Sequence, residues 1–295
     1  MVRESEMPLT PALSPSAGER LAARPGKGLF RASYSTKNSS PAVSPLLLSW
    51  FTWYSRRYLR RHFHSLRISR SGFVPKAEGF PLVIFSNHPS WFDPLVGLVL
   101  KEHCFQQRNL SAPMDAAALG RYGFFRRLGF FPVEQKSARG AAQFLRAAGE
   151  IMRLPHSLLA VTPQSRFADV RERPVRFAGG LGLLATRVER AVFVPLALEY
   201  VFWEERLPEI LVRFGTPTTI GSGSGKHSAA EWTAFFEARM AENQNALALE
   251  VQRRDPASFE NILRGGAGQG GVYDWWRALR AKLRGESFSR EHGAI

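Results

Sequence analysis

From Phe73 onward, short apolar runs of strand length alternate with segments whose apolar residues recur at helical spacing, and nothing else in the chain restricts its fold as much. Pro81 to Ser86 (PLVIFS), Ser157 to Thr162 (SLLAVT), Val192 to Tyr200 (VFVPLALEY) and Glu209 to Phe214 read as strands, with a shorter one at Phe130 to Glu134. Runs this continuously apolar fit strands covered on both faces. Between them, Trp91 to Glu102, Ala116 to Leu128, Gly180 to Glu189 and Ala229 to Arg253 read as helices. Another starts from Ser137 as N-cap and runs to about Arg153, with Ala141, Phe144, Leu145, Ala148, Ile151 and Met152 on one face. Alternation of this kind predicts an α/β fold, a mostly parallel sheet covered by helices. A chain of 295 residues can build one large domain of this sort around a well-buried core.

The ends read differently. Residues 1–43 are rich in Pro, Ser, Gly and Ala without apolar periodicity, so they bury too little to offset the entropy of ordering and are expected to be a disordered tail. Their run PLTPALSPSAGER looks like translated intergenic repeat at the front of an over-extended reading frame. Residues 44–70 predict an N-terminal basic amphipathic helix. Leu47, Leu48, Phe51, Tyr54, Tyr58, Leu59, His62, Phe63 and Leu66 fall on one broad side, opposite Arg56, Arg57, Arg60, Arg61 and Arg67. Its uncharged stretch, Pro45 to Ser55, is shorter than the ~20 residues a bilayer crossing needs. The helix is therefore expected to lie in a membrane interface, with Trp50, Trp53 and Tyr54 at headgroup level, or else to pack on its own domain. Residues 71–264 make the main domain, and residues 265–295 a Gly-rich linker with a last basic helix at Tyr273 to Leu283. The run GSGSGKH, Gly221 to His227, reads as a loop, because it lacks the spacing of a phosphate-binding loop and no strand leads into it.

Charge narrows the partners. The formal net charge is +15. Between Glu19 and Glu78 there is no acidic residue, while 12 Lys and Arg residues fall there. Such a stretch calls for an anionic surface. No zinc-finger, homeodomain or RNP-type pattern accompanies it, so the expected partner is an anionic membrane surface and not nucleic acid. The single cysteine, Cys104, excludes an intramolecular disulfide and a Cys-based zinc site. A peripheral location on the cytoplasmic face of a membrane fits these features.

The chemistry follows directly on the first buried strand. Asn87-His88-Pro89-Ser90-Trp91-Phe92-Asp93 puts a histidine at the strand's carboxyl end and an aspartate five residues later, at the opening of the next helix. Ligands of open α/β sheets gather at that edge. A turn there can fold the carboxylate back on the imidazole, fixing its tautomer while the other ring nitrogen faces substrate. Such a pair needs no serine. An acceptor hydroxyl can lose its proton to the histidine and attack a thioester directly, making His88 a general base.

The surroundings of this pair resemble the PlsC-like family of glycerolipid acyltransferases, whose first signature is NH-x4-D, matched by Ser86 to Asp93 (SNHPSWFD). The resemblance runs from about Pro81 to Tyr200 and implies His88 as base with Asp93 as its partner. The family's second block, G-x-x-x-I-D-R, corresponds to Gly129 to Lys136, with Gln135 where the family has arginine; Lys136 or Arg139 could substitute, without the guanidinium fork. The third, F-P-E-G-T-R, corresponds to Thr162 to Phe167, with Gln164 for glutamate and Ser165 for glycine, and with Pro163 and Arg166 kept. The fourth, a strand carrying V-P, corresponds to Val194-Pro195-Leu196. By this resemblance Asn87, Ser90, Gln135, Lys136, Gln164, Ser165 and Arg166 are the expected substrate-binding residues.

An intact first block beside altered acceptor blocks implies an active O-acyltransferase. It would move a fatty acyl group from acyl-CoA or acyl carrier protein, as co-substrate, to a hydroxyl of a lipid-like acceptor, with no bound cofactor and no metal. The neutral amides of Gln135 and Gln164 suit an uncharged or glycosylated lipid alcohol better than a phosphate monoester. Two alternatives stand beside this reading: ordinary 1-acylglycerol-3-phosphate acylation, with Lys136 or Arg166 holding the phosphate, and a non-catalytic protein that binds membrane or acyl chains.

Overall fold

A computed structural model describes residues 43–75, 79–221, 227–267 and 280, all within the unit Asn38–Ile295. The expected tail, most of the GSGSGKH loop and nearly all of the last helix lie outside the described residues.

In chain order the elements are α1 (Pro45–His62), β1 (Ser65–Ser69), β2 (Leu82–Ser86), α2 (Asp93–Cys104), β3 (Asn109–Asp115), α3 (Ala116–Arg121), β4 (Phe130–Val133), α4 (Ala138–Ile151), β5 (Ser157–Val161), α5 (Gly180–Ala185), β6 (Arg190–Val201), β7 (Glu209–Phe214), β8 (Thr218–Gly221), α6 (Ala229–Arg253) and β9 (Phe259–Arg264). Short 3₁₀ turns occupy Gly123–Leu128 and Pro256–Ser258. The described strands form one nine-stranded sheet in the order β4-β3-β5-β2-β6-β7-β1-β9, with β8 on β6. β4, β3, β5, β2 and β6 are mutually parallel, so their carboxyl ends share one edge. β7 runs antiparallel to β6 and β1 parallel to β7, so both begin at that same edge.

Helices cover both faces. On one, α1 and α2 pack over Leu66, Ile84, Val194 and Phe214. On the other, α4, α5 and α6 enclose Val83, Phe85, Leu159 and Phe193, with Ile151, Leu184, Phe236 and Met240 buried among them. The mixed α/β sheet flanked by helices is therefore as the apolar alternation predicts. Local signals set several boundaries. Ser137 caps α4 by accepting from the Gly140 N–H at 2.9 Å, and Ser228 and Glu231 form a reciprocal capping box on α6. Gly140 is required by a close approach: a Cβ there would lie 1.7 Å from the Glu134 carbonyl oxygen, in the turn that follows β4.

Two expectations are corrected. The basic helix stops at His62, not near residue 70, and Ser65–Ser69 become β1, inside the sheet between β7 and β9. Leu66 and Arg67 are thus strand residues, and the main domain begins before residue 71. Ala116 to Leu128 is likewise not one helix, because α3 ends at Arg121 and a 3₁₀ turn follows to Gly129, whose φ of 100° admits glycine readily.

α1 also uses its apolar side differently from a helix lying freely in an interface. Phe51 and Leu59 are buried and Leu47, Leu48 and Tyr58 partly buried in the core that holds Val96 and Val99 of α2. Arg56 reaches Glu102 of α2 at 2.7 Å. The face left outward carries Leu46, Trp50, Trp53 and Tyr54. An open cleft of about 300 Å³ runs along it, lined by Trp53, Arg56, Arg57, Arg60 and Arg61. Among the described residues no helix is long and apolar enough to cross a membrane.

Candidate active site

His88 follows β2 by two positions and Asp93 opens α2, so the pair stands at the shared carboxyl edge of the parallel strands. The intervening turn closes on itself. The Asp93 N–H donates to the Ser90 carbonyl at 3.2 Å and the Phe92 N–H to Ser90 Oγ at 3.3 Å. Folded back this way, Asp93 Oδ2 accepts from His88 Nδ1–H at 2.6 Å and from the Ser90 N–H at 3.2 Å. Nδ1 is therefore the protonated nitrogen of neutral His88, and Nε2 carries the lone pair. Among the described residues Nε2 has no hydrogen-bond partner. Asp93 is buried, with 6% of its side chain exposed, against 20% for His88.

The second oxygen of Asp93 is taken by a residue the sequence reading did not single out. Tyr200, near the carboxyl end of β6, donates its phenol to Asp93 Oδ1 at 2.6 Å. Burial, followed by the Asp93 charge and this hydrogen bond, raises the phenol's pKa, so Tyr200 stays protonated throughout the physiological range. Its place at the end of the strand-like run VFVPLALEY was the signal available for it. The next residue inward, Glu199, has its carboxyl pushed up to about 7 by burial, against the opposing pull of Arg173.

Of the expected substrate-binding residues, the structure brings Gln164 to the pair: its Oε1 accepts from the His88 N–H at 3.3 Å. Phe167, six residues beyond β5, lays its ring 4.4 Å from that of His88 while remaining 59% exposed, and the Ala168 N–H donates to the His88 carbonyl at 3.0 Å. Ser165, where the resembled family has glycine, adopts a φ of 55°, in the left-handed region glycine favours. Arg166 is exposed and bonded to Glu172 and to the Phe167 carbonyl.

Three of the expected residues lie away from the pair or are turned from it. Asn87 is only 1% exposed, and both ends of its amide serve β6: Nδ2 donates to the Leu198 carbonyl and Oδ1 accepts from the Leu198 N–H, each at 2.9 Å. It joins two strands and is sealed from solvent. Gln135 and Lys136 are exposed in the turn after β4, on the same edge as His88 but three strand spacings away, roughly 14 Å at ~4.8 Å per spacing. Ser90 contributes to the pair through its backbone, and its hydroxyl supports the turn.

The turn between His88 and Asp93 carries aromatic side chains. Trp91 is 55% exposed and stacks on Phe92 at 4.2 Å between ring centres, and Tyr58 of α1 meets Trp91 at 5.8 Å. Among the described residues, no group of three or more His, Cys, Asp or Glu is placed to hold a metal ion. Compared with models of known protein families and with curated proteins, the chain matches none.

Proposed function

We propose that this protein is an O-acyltransferase acting at a membrane surface, with His88 as general base and Asp93 as its partner. The observation that carries the reading is the 2.6 Å contact from His88 Nδ1 to Asp93 at the carboxyl edge of the sheet, which leaves Nε2 with a free lone pair. In the reaction, Nε2 takes the proton of an acceptor hydroxyl as its oxygen bonds to the thioester carbonyl carbon. The tetrahedral intermediate then collapses, the C–S bond breaks, and the departing thiolate recovers that proton from His88. Asp93 stabilises the imidazolium in between. The donor is acyl-CoA or acyl carrier protein. The resemblance of Ser86 to Asp93 to the PlsC-like signature supports the same assignment, and the glycine-like backbone at Ser165 is consistent with a third-block turn.

The acceptor is a hydroxyl on an uncharged or glycosylated lipid. Gln164 presents an amide beside His88, Arg166 is engaged by Glu172, and Phe167, against the His88 ring, and Trp91, three residues after His88, offer exposed apolar surface. With Arg166 on Glu172 and Lys136 three strand spacings from His88, a phosphate monoester there would be poorly compensated. With a thioester donor and a panel of acceptors in mixed micelles, turnover of a long-chain alcohol or glycolipid should exceed that of lysophosphatidate by about tenfold or more, a difference of ~1.4 kcal/mol or more in transition-state binding. The reverse preference, lost on Lys136→Ala, would place the enzyme in ordinary phospholipid synthesis.

The outward face of α1 is the membrane contact, its aromatics at headgroup depth and Arg57, Arg60 and Arg61 on anionic lipid. Each arginine near such a surface contributes about 1 kcal/mol. The triple change of these residues to Glu should abolish sedimentation with anionic vesicles, and the native protein should show little affinity for neutral ones. Undiminished sedimentation of the triple variant would move the contact elsewhere.

A further inference from the structure

We propose that Tyr200 is a positioning residue of this site, holding Asp93 through its second oxygen and setting the pH at which His88 can accept a proton. The inference rests on the reading of His88 as base but concerns an equilibrium that exists without substrate.

The geometry is built from two strands. Asn87 clips the end of β2 to Leu198, and Tyr200 lies two residues further along β6, on the face where α2 begins. Its ring is held between Phe63, at 5.6 Å, and Phe92, at 6.2 Å, which leaves the phenol one direction to point. At 2.6 Å from Oδ1 it makes a short, charge-assisted hydrogen bond. Oδ2 is already occupied by His88 and the Ser90 N–H, so each carboxylate oxygen has its own donor and the group cannot rotate without breaking one of these bonds.

Placement has an electrostatic consequence. A carboxylate that shares its charge with a phenol is a weaker partner for an imidazolium, so Tyr200 lowers the proton affinity of His88 and lets it work as a base at lower pH. Other groups around the pair do not duplicate this. From α1 come Tyr58 and His62, whose rings meet Trp91 and Phe92 and not His88. From the segment after β5 come the neutral Gln164 and Phe167, with Arg166 and Glu172 balancing one another. Asp93 is the one charged group that bonds His88 among the described residues, and Tyr200 the one phenol that bonds Asp93.

The test is the titration of His88, followed by NMR in protein labelled with ¹⁵N-histidine. Tyr200→Phe keeps the ring and removes the donor. It should raise the His88 pKa by roughly half a unit to one unit, as the loss of a hydrogen bond to a charged partner does. In an Asp93→Asn background the same change should have no effect on His88, because the route through the carboxylate is gone. In acyl transfer, the acid limb of the kcat/KM profile should move upward by the same amount. An unchanged or lowered His88 pKa in Tyr200→Phe, or an equal shift in the Asp93→Asn background, overturns the proposal. Because the titration is read without substrate, a protein that titrates as expected yet transfers no acyl group would fail the proposed function and leave the role of Tyr200 standing.

Discussion

Alanine in place of His88 is expected to slow acyl transfer by a factor of about 10²–10⁴, the usual cost of losing a general base. The acceptor hydroxyl would then have to shed its proton to water, with no imidazole stabilised beside the thioester. Asp93→Asn should also slow the reaction, since an amide can hold the ring but cannot compensate an imidazolium. The measurement is the single-turnover rate of thioester consumption by purified protein, with vesicle binding recorded on the same samples. Binding should survive in both variants. A His88→Ala protein that transfers acyl groups at the native rate would remove the mechanism, and a native protein that binds vesicles but never consumes thioester would favour the non-catalytic reading.

The largest expected effect on stability comes from Asn87, next to His88. Asn87→Ala would leave the buried N–H and carbonyl of Leu198 without their side-chain partners. Each unpaired buried group costs about 1–3 kcal/mol, so urea denaturation should show a loss of roughly 2–5 kcal/mol with little change in m. Activity should fall too, because Leu198 fixes the register that carries Tyr200 to Asp93. A variant as stable as the native protein would mean that water replaces the amide, and would return Asn87 to the set of groups available to substrate.

That residue illustrates where sequence reasoning reaches its limit. His88 and Asp93 were legible because the two groups are five residues apart and a local turn joins them. The role of Asn87 was not, since its partner is a backbone segment 111 residues away, and a polar residue beside a candidate base reads equally well as facing substrate. Tyr200 was hidden for the same reason, lying 107 residues from Asp93. Among the elements, α6 was readable to its bounds because a long apolar period begins at a capping box. β1 was not, because Leu59, Phe63 and Leu66 continue a helical spacing across the break and the five-residue strand offers little period of its own. β3, with the sequence NLSAPMD, has neither a continuous apolar run nor strict alternation, and its pairing with β4 and β5 comes from the fold around it.

The packing of α1 bears on how the protein would meet a lipid surface. Many interfacial helices are coil in water and gain structure only on adsorption, so their binding includes the enthalpy and heat capacity of helix formation. Here the helix is fixed beforehand, with Phe51 and Leu59 sealed into the protein interior and Arg56 tied to α2. Adsorption through its outward face would be a docking of rigid bodies, without the heat of helix formation and silent in far-ultraviolet circular dichroism. The orientation of the sheet relative to the bilayer normal would then be set by the protein and not by the lipid.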